Sequence, residues 1–211
     1  MIIRTLEQLS ETLDSDLAWR KKELANLGTL LPGRRAHGTM LLRAGVCLLY
    51  AHWEGFVRTA SIGYVSYVAH SGLRYRDLSH NFLAMALRQN IMEAGRSNLP
   101  TLHIGLTTKL MSELSERARI NWENSINTRS NLNSEALKEI LAQLGIEASP
   151  YLLKGALLDQ RLLASRNQIA HGGQSEIDLG DYRELQDEVI LLADTFNNDV
   201  QNAAATRMFR K

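Results

Sequence analysis

The chain has a single cysteine, Cys47, in 211 residues, which excludes an internal disulfide framework and any cysteine-based zinc site. That usage fits a reducing compartment, so a cytoplasmic location is expected. Proline is scarce as well: only three interrupt a chain in which leucine, alanine and arginine are frequent, so helix is favoured nearly everywhere. Excess charge of one sign is missing. With 24 Lys and Arg against 23 Asp and Glu, no protein-wide field exists to recruit nucleic acid, and any RNA or DNA contact must be local. Long apolar runs are absent too. The least polar tracts, residues 44–53 and 59–73, fall short of the roughly 20 residues that a membrane span needs, so no membrane segment is expected. The first residues run at once into charged and polar side chains, unlike a signal peptide. What is present is an ordinary balance of 45% hydrophobic and 22% charged residues, as in a folded, soluble protein, and a length that suits one domain over residues 1–211.

The apolar pattern is helical. Leu6, Leu9, Leu13, Leu17, Leu24, Leu27 and Leu31 recur at steps of three, four or seven and so share one helical face, which Pro32-Gly33 ends. Residues 35–70 contain no proline and are apolar on several faces, as in a long central helix buried in a bundle. Gly38, Gly45, Gly55 and Gly63 would weaken that helix alone, so close packing against neighbours is expected there. Asp77 and Ser79 suit N-caps of a helix through Phe82, Met85, Ala86 and Met92, and another helix is expected over residues 102–117. Residues 120–134 are rich in Asn and Ser and read as a loop. With Ser134 as N-cap of a short helix over 135–144 and Gly145 as its stop, residues 120–150 form a candidate small insertion. Pro150 restarts a helix reaching about His171, closed by Gly172-Gly173. The last helix carries Tyr182, Leu185, Val189, Leu192, Phe196 and Val200 on one face. The expected class is all-α.

Several chemistries find no motif. There is no Walker-type phosphate loop, no dinucleotide fingerprint, no His-Glu-x-x-His zinc helix and no G-x-S-x-G nucleophile elbow. Carboxylates are scattered over polar faces, so neither a metal site nor a cofactor is expected.

The informative segment is Arg166-Asn167-Gln168-Ile169-Ala170-His171 before Gly172-Gly173. On a helix Asn167 and His171 share a face, so the amide can orient the imidazole or hold the same ligand. Arg166 lies about 140° around from His171, so the two meet only if the helix unwinds at the Gly pair or a second subunit supplies the opposite wall. Spacing alone also fits a surface ion pair for Arg166 and a His171 that merely complements the helix dipole.

The run Arg-Asn-x-x-x-His resembles the signature of the HEPN superfamily (higher eukaryotes and prokaryotes nucleotide-binding), and Arg166, Asn167 and His171 match it position by position. Residues 50–57, Tyr-Ala-His-Trp-Glu-Gly-Phe-Val, look like the A-x-W-E-G-F run of the MAE-type HEPN-like nucleases, and residues 131–137 resemble that branch too. The resemblance implies a helical bundle that dimerises so that two motifs face one cleft, and a metal-independent RNA endonuclease of a toxin or phage-defence setting. RNA carries its own nucleophile: the 2′-hydroxyl attacks the adjacent phosphorus and leaves a 2′,3′-cyclic phosphate and a 5′-hydroxyl. An imidazole exchanges protons at neutral pH, so His171 would be the general acid or base. The Arg166 guanidinium would hold the non-bridging oxygens, and Asn167 would position His171 or the phosphate. HEPN toxins controlled by a nucleotidyltransferase antitoxin carry a Tyr two residues after the motif His. Here that position is Gly173, so control by another antitoxin or sensor protein, or by expression, is expected instead. The alternative is a non-catalytic module that binds a nucleotide or a protein partner in the same cleft.

Glu54 is the second candidate: it either pairs with Arg58 one turn on, or crosses to Arg166 or His171 and holds them. His52 reads as a core histidine. Trp19, Trp122, Tyr64 and Tyr67 read as core or dimer contacts, and the pairs Arg34-Arg35 and Arg74, Arg76 either track RNA or are simply solvated.

Overall fold

The computed structural model describes residues 1–31, 38–128, 131–174 and 176–211. The expected helix stop at Pro32-Gly33, the expected second-helix start at residue 35 and the Arg34-Arg35 pair lie outside the described residues. Among those described there are nine α-helices and no strand, an all-α fold. Helix α1 is Leu6–Leu30; Thr5 caps it by accepting from the Gln8 N–H, and Gln8 returns a bond to the Arg4 N–H. Its predicted stripe is the buried face, with Leu9, Leu13, Leu17 and Leu24 inside.

Helix α2, Gly38–His70, has 33 residues and so runs about 50 Å. It is the centre of the bundle. Leu49, Trp53, Phe56, Val57, Ala60 and Tyr64 are buried on several of its faces, and α1 and α9 (Leu179–Ala205) pack along it. The apolar stripe of α9 faces inward, with Val189, Phe196 and Val200 in the same cluster. Its start is capped by Asp178, which accepts from the Asp181 N–H at 2.8 Å. The glycines of α2 permit the close packing expected of them: a Cβ at Gly45 would lie 2.9 Å from the Tyr182 ring, and one at Gly55 would lie 2.6 Å from the Arg20 guanidinium. That guanidinium crosses the helix to donate to the His52 carbonyl while pairing with Asp16.

His52 is buried against Trp19 and sits 2.8 Å from Glu23. Burial lowers its pKa from the ordinary 6.5, and the nearby carboxylate of Glu23 only partly offsets this. The unfolded chain therefore binds the proton at higher pH than the folded one, so this residue's stabilisation is present above about pH 6.5 and is lost as pH falls through its lower folded value. We expect urea-derived stability to decline on acidification through that window and the slope to flatten in His52→Gln; equal slopes in both proteins would assign the effect elsewhere.

The middle of the chain departs from expectation in three places. The helix expected through Met92 is two, α3 (His80–Ala86) and α4 (Arg88–Gly95), with a bend at Leu87. Ser79 precedes α3 without a side-chain cap bond, and Asp77 ends a short 3-10 turn instead of capping a helix. Helix α5 is Pro100–Ser112, beginning on its proline and stopping short of residue 117. It stops because residues 114, 116 and 118 give their backbone bonds to residues 73–76.

Residues 120–128 and 131–133 are irregular, as expected of the loop, yet Ile120, Ile126 and Leu132 are buried in the main apolar cluster. The cap of α6 (Ser134–Leu144) is Asn133, whose side chain accepts from the Ala136 N–H, so Ser134 is the first helical residue rather than the cap. Ser134 instead donates to Asp159, placing a carboxylate at the helix start where the dipole favours it. Gly145 ends α6 with φ of 72°, as predicted. The single helix expected after Pro150 is broken into α7 (Ser149–Leu152), a π-helical stretch Leu157–Leu163 and α8 (Ala164–Ala170). No helix among the described residues is long and apolar enough to cross a membrane.

Candidate active site

Helix α8 carries the Arg166 to His171 segment and lies against α2. Its C-terminus closes by a Schellman arrangement: the Gly173 N–H donates to the Gln168 carbonyl and the Gly172 N–H to that of Ile169, with Gly172 at φ of 79°. A Cβ at Gly173 would fall 2.9 Å from the Gln168 carbonyl oxygen, which is why no side chain, tyrosine included, fits that position without opening the turn. Arg43 of α2 fastens the turn by donating to the Gly173 carbonyl at 2.7 Å.

Arg166 is held from two sides. Its guanidinium carbon lies 4.6 Å from the Tyr50 ring centroid, a cation–π contact, and its Nη1 donates to Asn167 Oδ1 at 2.7 Å. Asn167 Nδ2 in turn reaches Asn131 Oδ1 at 3.4 Å, a long bond at the edge of hydrogen-bonding range. The amide of Asn167 therefore orients Arg166; it makes no side-chain bond to His171 among the described residues. His171 stands at the C-cap of α8, exposed, joined to Asn167 only through its own backbone N–H. The structure thus does not bring Arg166 and His171 together within one chain, in keeping with their angular separation on the helix.

Arg166 opens onto a cleft of roughly 510 Å³. Its walls are Ala51, Glu54, Gly55 and Arg58 of α2 and Ile126, Asn127 and Thr128 of the irregular segment. Glu54 forms no ion pair within 4.0 Å of Arg58, Arg166 or His171 among the described residues. Its carboxylate acts on Tyr50, one helical turn back. Burial pushes the Tyr50 phenol up to about 12, the Leu132 N–H that donates to it works the other way, and the Glu54 carboxylate adds to the rise.

Tyr50, Asn131 and Leu132 lie in the 50–57 and 131–137 stretches that carry the resemblance, but the sequence assigned none of them a role at the site. The available signal was the spacing of Tyr50 and Glu54, one helical turn apart inside the 50–57 run, but what joins them to Arg166 is a contact across more than a hundred residues. Tyr50→Phe keeps the ring under Arg166 and removes the acceptor for a buried N–H, at 2.6 Å in the present structure. A loss of about 1–3 kcal/mol in urea denaturation is expected; wild-type stability would mean that the Leu132 N–H finds another partner.

Other candidates resolve simply. His52 is the buried histidine described above, Tyr64 is fully buried, Trp122 is partly buried and Trp19 is 53% exposed. Arg74 and Arg76 are exposed, with Arg76 donating to Ser115. No three His, Cys, Asp or Glu side chains gather as a metal ion requires among the described residues.

A family model described as HEPN_MAE_28990/-like HEPN matches residues 9–209. No curated protein and no solved structure matches the chain.

Proposed function

The chain belongs to the HEPN_MAE_28990/-like HEPN family, and from that premise we propose that it is a metal-independent RNA endonuclease, one domain acting as a homodimer in a toxin or phage-defence role. The observation that supports this best is the fixed Arg166 guanidinium, stacked on Tyr50 and bonded to Asn167 at the mouth of a polar cleft. A cation ordered before substrate arrives stabilises charge on a phosphorane without reorganising. His171 is exposed at the end of the same helix and so accessible to a substrate or a second subunit. Dimerisation would let the Arg166 of one protomer and the His171 of its partner flank one phosphate. His171 would move the proton of the 2′-hydroxyl or of the leaving 5′-oxygen, Arg166 would bind the non-bridging oxygens and Asn167 would hold Arg166 in place. Glu54 would fix Tyr50, the platform under Arg166. Such a site cuts RNA and spares DNA, which lacks the attacking group.

The test is incubation of the purified protein with total RNA in EDTA and analysis of the fragment ends. Fragments with 2′,3′-cyclic phosphate ends are expected; cleavage that EDTA abolishes would sink the metal-independent reading. The separation of Arg166 from His171 within one chain also favours a second reading, a non-catalytic module that binds a nucleotide in the cleft. Under it, ATP at about 100 times its dissociation constant adds about 2.7 kcal/mol of stability, a shift lost in Arg166→Ala, and RNA stays intact. An antitoxin or sensor protein would act on either form.

A further inference from the structure

A cavity of about 690 Å³ lies away from Arg166, between α4, α5 and the irregular segment. Four cations line it: Arg88 and Arg96 at the two ends of α4, Lys109 of α5 and Arg119. None of the four forms an ion pair among the described residues. Glu93 is the acid in the wall, and it accepts from Gln89. In a chain whose total charge is +1, four cations against one carboxylate around a single hollow are a local concentration of positive charge. Lys109 is moreover held in place, donating to Asn90 at 3.2 Å over the Tyr75 ring.

Two features select the ligand. Arg88 and Arg96 are eight residues apart, so their backbone positions are separated by about 12 Å along the helix axis. Cations spread over that length suit a chain of anions better than a single one. Asn121 and Asn124 in its wall add amides able to meet base edges. Second, the segment that forms this wall continues into the motif cleft: residues 120, 121, 124 and 125 line the cavity, and 126–128 line the cleft beside Arg166. Arg88 grips that segment by donating to the Ser125 carbonyl.

We propose that this trough is an exosite for the phosphate backbone of an RNA strand whose continuation enters the Arg166 cleft along residues 120–128. The inference rests on the RNA reading above and deepens it, making substrate choice depend on RNA flanking the cut as well as on the motif.

The probe is an RNA of about 20 nucleotides, longer than one compact single-strand site, with 2′-O-methyl riboses that block attack. Binding is measured over a range of salt for wild type, for Arg96→Glu/Arg119→Glu and, as a control of equal charge change on the first helix side of the molecule, for Arg4→Glu/Lys22→Glu. Arg96→Gln/Arg119→Gln serves if the charge reversal disturbs the fold. The cavity variant is expected to bind about tenfold or more weakly, and the neutral pair to lose about 1.4 from the salt slope, two phosphate contacts at about 0.7 each on a single strand. Unchanged affinity, an equal loss in the control, or no binding by wild type overturns the exosite. Because the probe cannot be cut, the two readings separate. Binding that depends on the cavity in a protein that never cleaves RNA sinks the nuclease alone, and cleavage by a protein whose cavity variants bind as wild type sinks the exosite alone.

Discussion

Under the proposed nuclease activity, His171→Ala is expected to lower the rate of RNA cleavage by about 10²- to 10⁴-fold, the usual contribution of a positioned general acid or base, while leaving stability near wild type. The second half of that expectation follows from its place: His171 is exposed, and only its backbone enters the helix terminus. Arg166→Ala loses about 10²- to 10³-fold through the missing charge stabilisation. Arg166→Lys does not restore it, because an ammonium cannot reproduce the planar stack on Tyr50 together with the bond to Asn167. If two protomers complete one site, mixing Arg166→Ala with His171→Ala protein regains part of the activity, since some mixed dimers hold one intact Arg166 and His171 pair. Initial rates on a fluorogenic RNA, with thermal melts of each variant, decide it. Activity within about threefold of wild type in both single variants would remove the motif from the chemistry, since threefold is far less than either role supplies.

Trp53→Ala is expected to be the most destabilising substitution of those considered, at about 3–5 kcal/mol. The side chain is 1% exposed and sits where α1, α2 and α9 converge, beside Leu17, Phe56 and Val189. Its removal leaves a cavity that three long helices would have to shift to fill. Against a typical total of about 5–15 kcal/mol this is a large fraction of the fold's stability. Trp53→Phe should cost much less: it keeps most of the ring volume and removes an indole N–H that is buried without an acceptor among the described residues. Urea midpoints for the two variants give the comparison, and a loss below about 1 kcal/mol in Trp53→Ala would mean that the three-helix junction repacks freely.

Local physics made much of the fold legible. The leucine stripe of α1, the all-round apolar character of α2, the stripe of α9 and the glycine stops at Gly145 and Gly172 all follow from periodicity and backbone preference within a few residues, and they stand where they were expected. The misplacements have a common cause. Ser134 is as good a cap as Asn133, and the choice falls to Asn133 because Asp159, 25 residues on, engages Ser134. In the same way α5 ends before residue 117 because residues 73–76 claim that backbone, and the helix after Pro150 carries a π-helical stretch that no local pattern announced.

The division is the same at the site. By itself the sequence determined the residue types on which the proposed chemistry rests, their order, and that Arg166 and His171 point to different sides of a helix, because helical angle depends only on spacing. Only the tertiary structure decided that Arg166 rests on Tyr50, that Asn167 serves Arg166 and reaches Asn131, that Glu54 answers to Tyr50 rather than to Arg58, and that one irregular segment joins the motif cleft to a second, cationic hollow. The contacts of Arg166 with Tyr50 and of Asn167 with Asn131 link residues 116 and 36 positions apart, and which of them form is set by how the long helices pack, a property of the whole bundle that no short window of sequence contains.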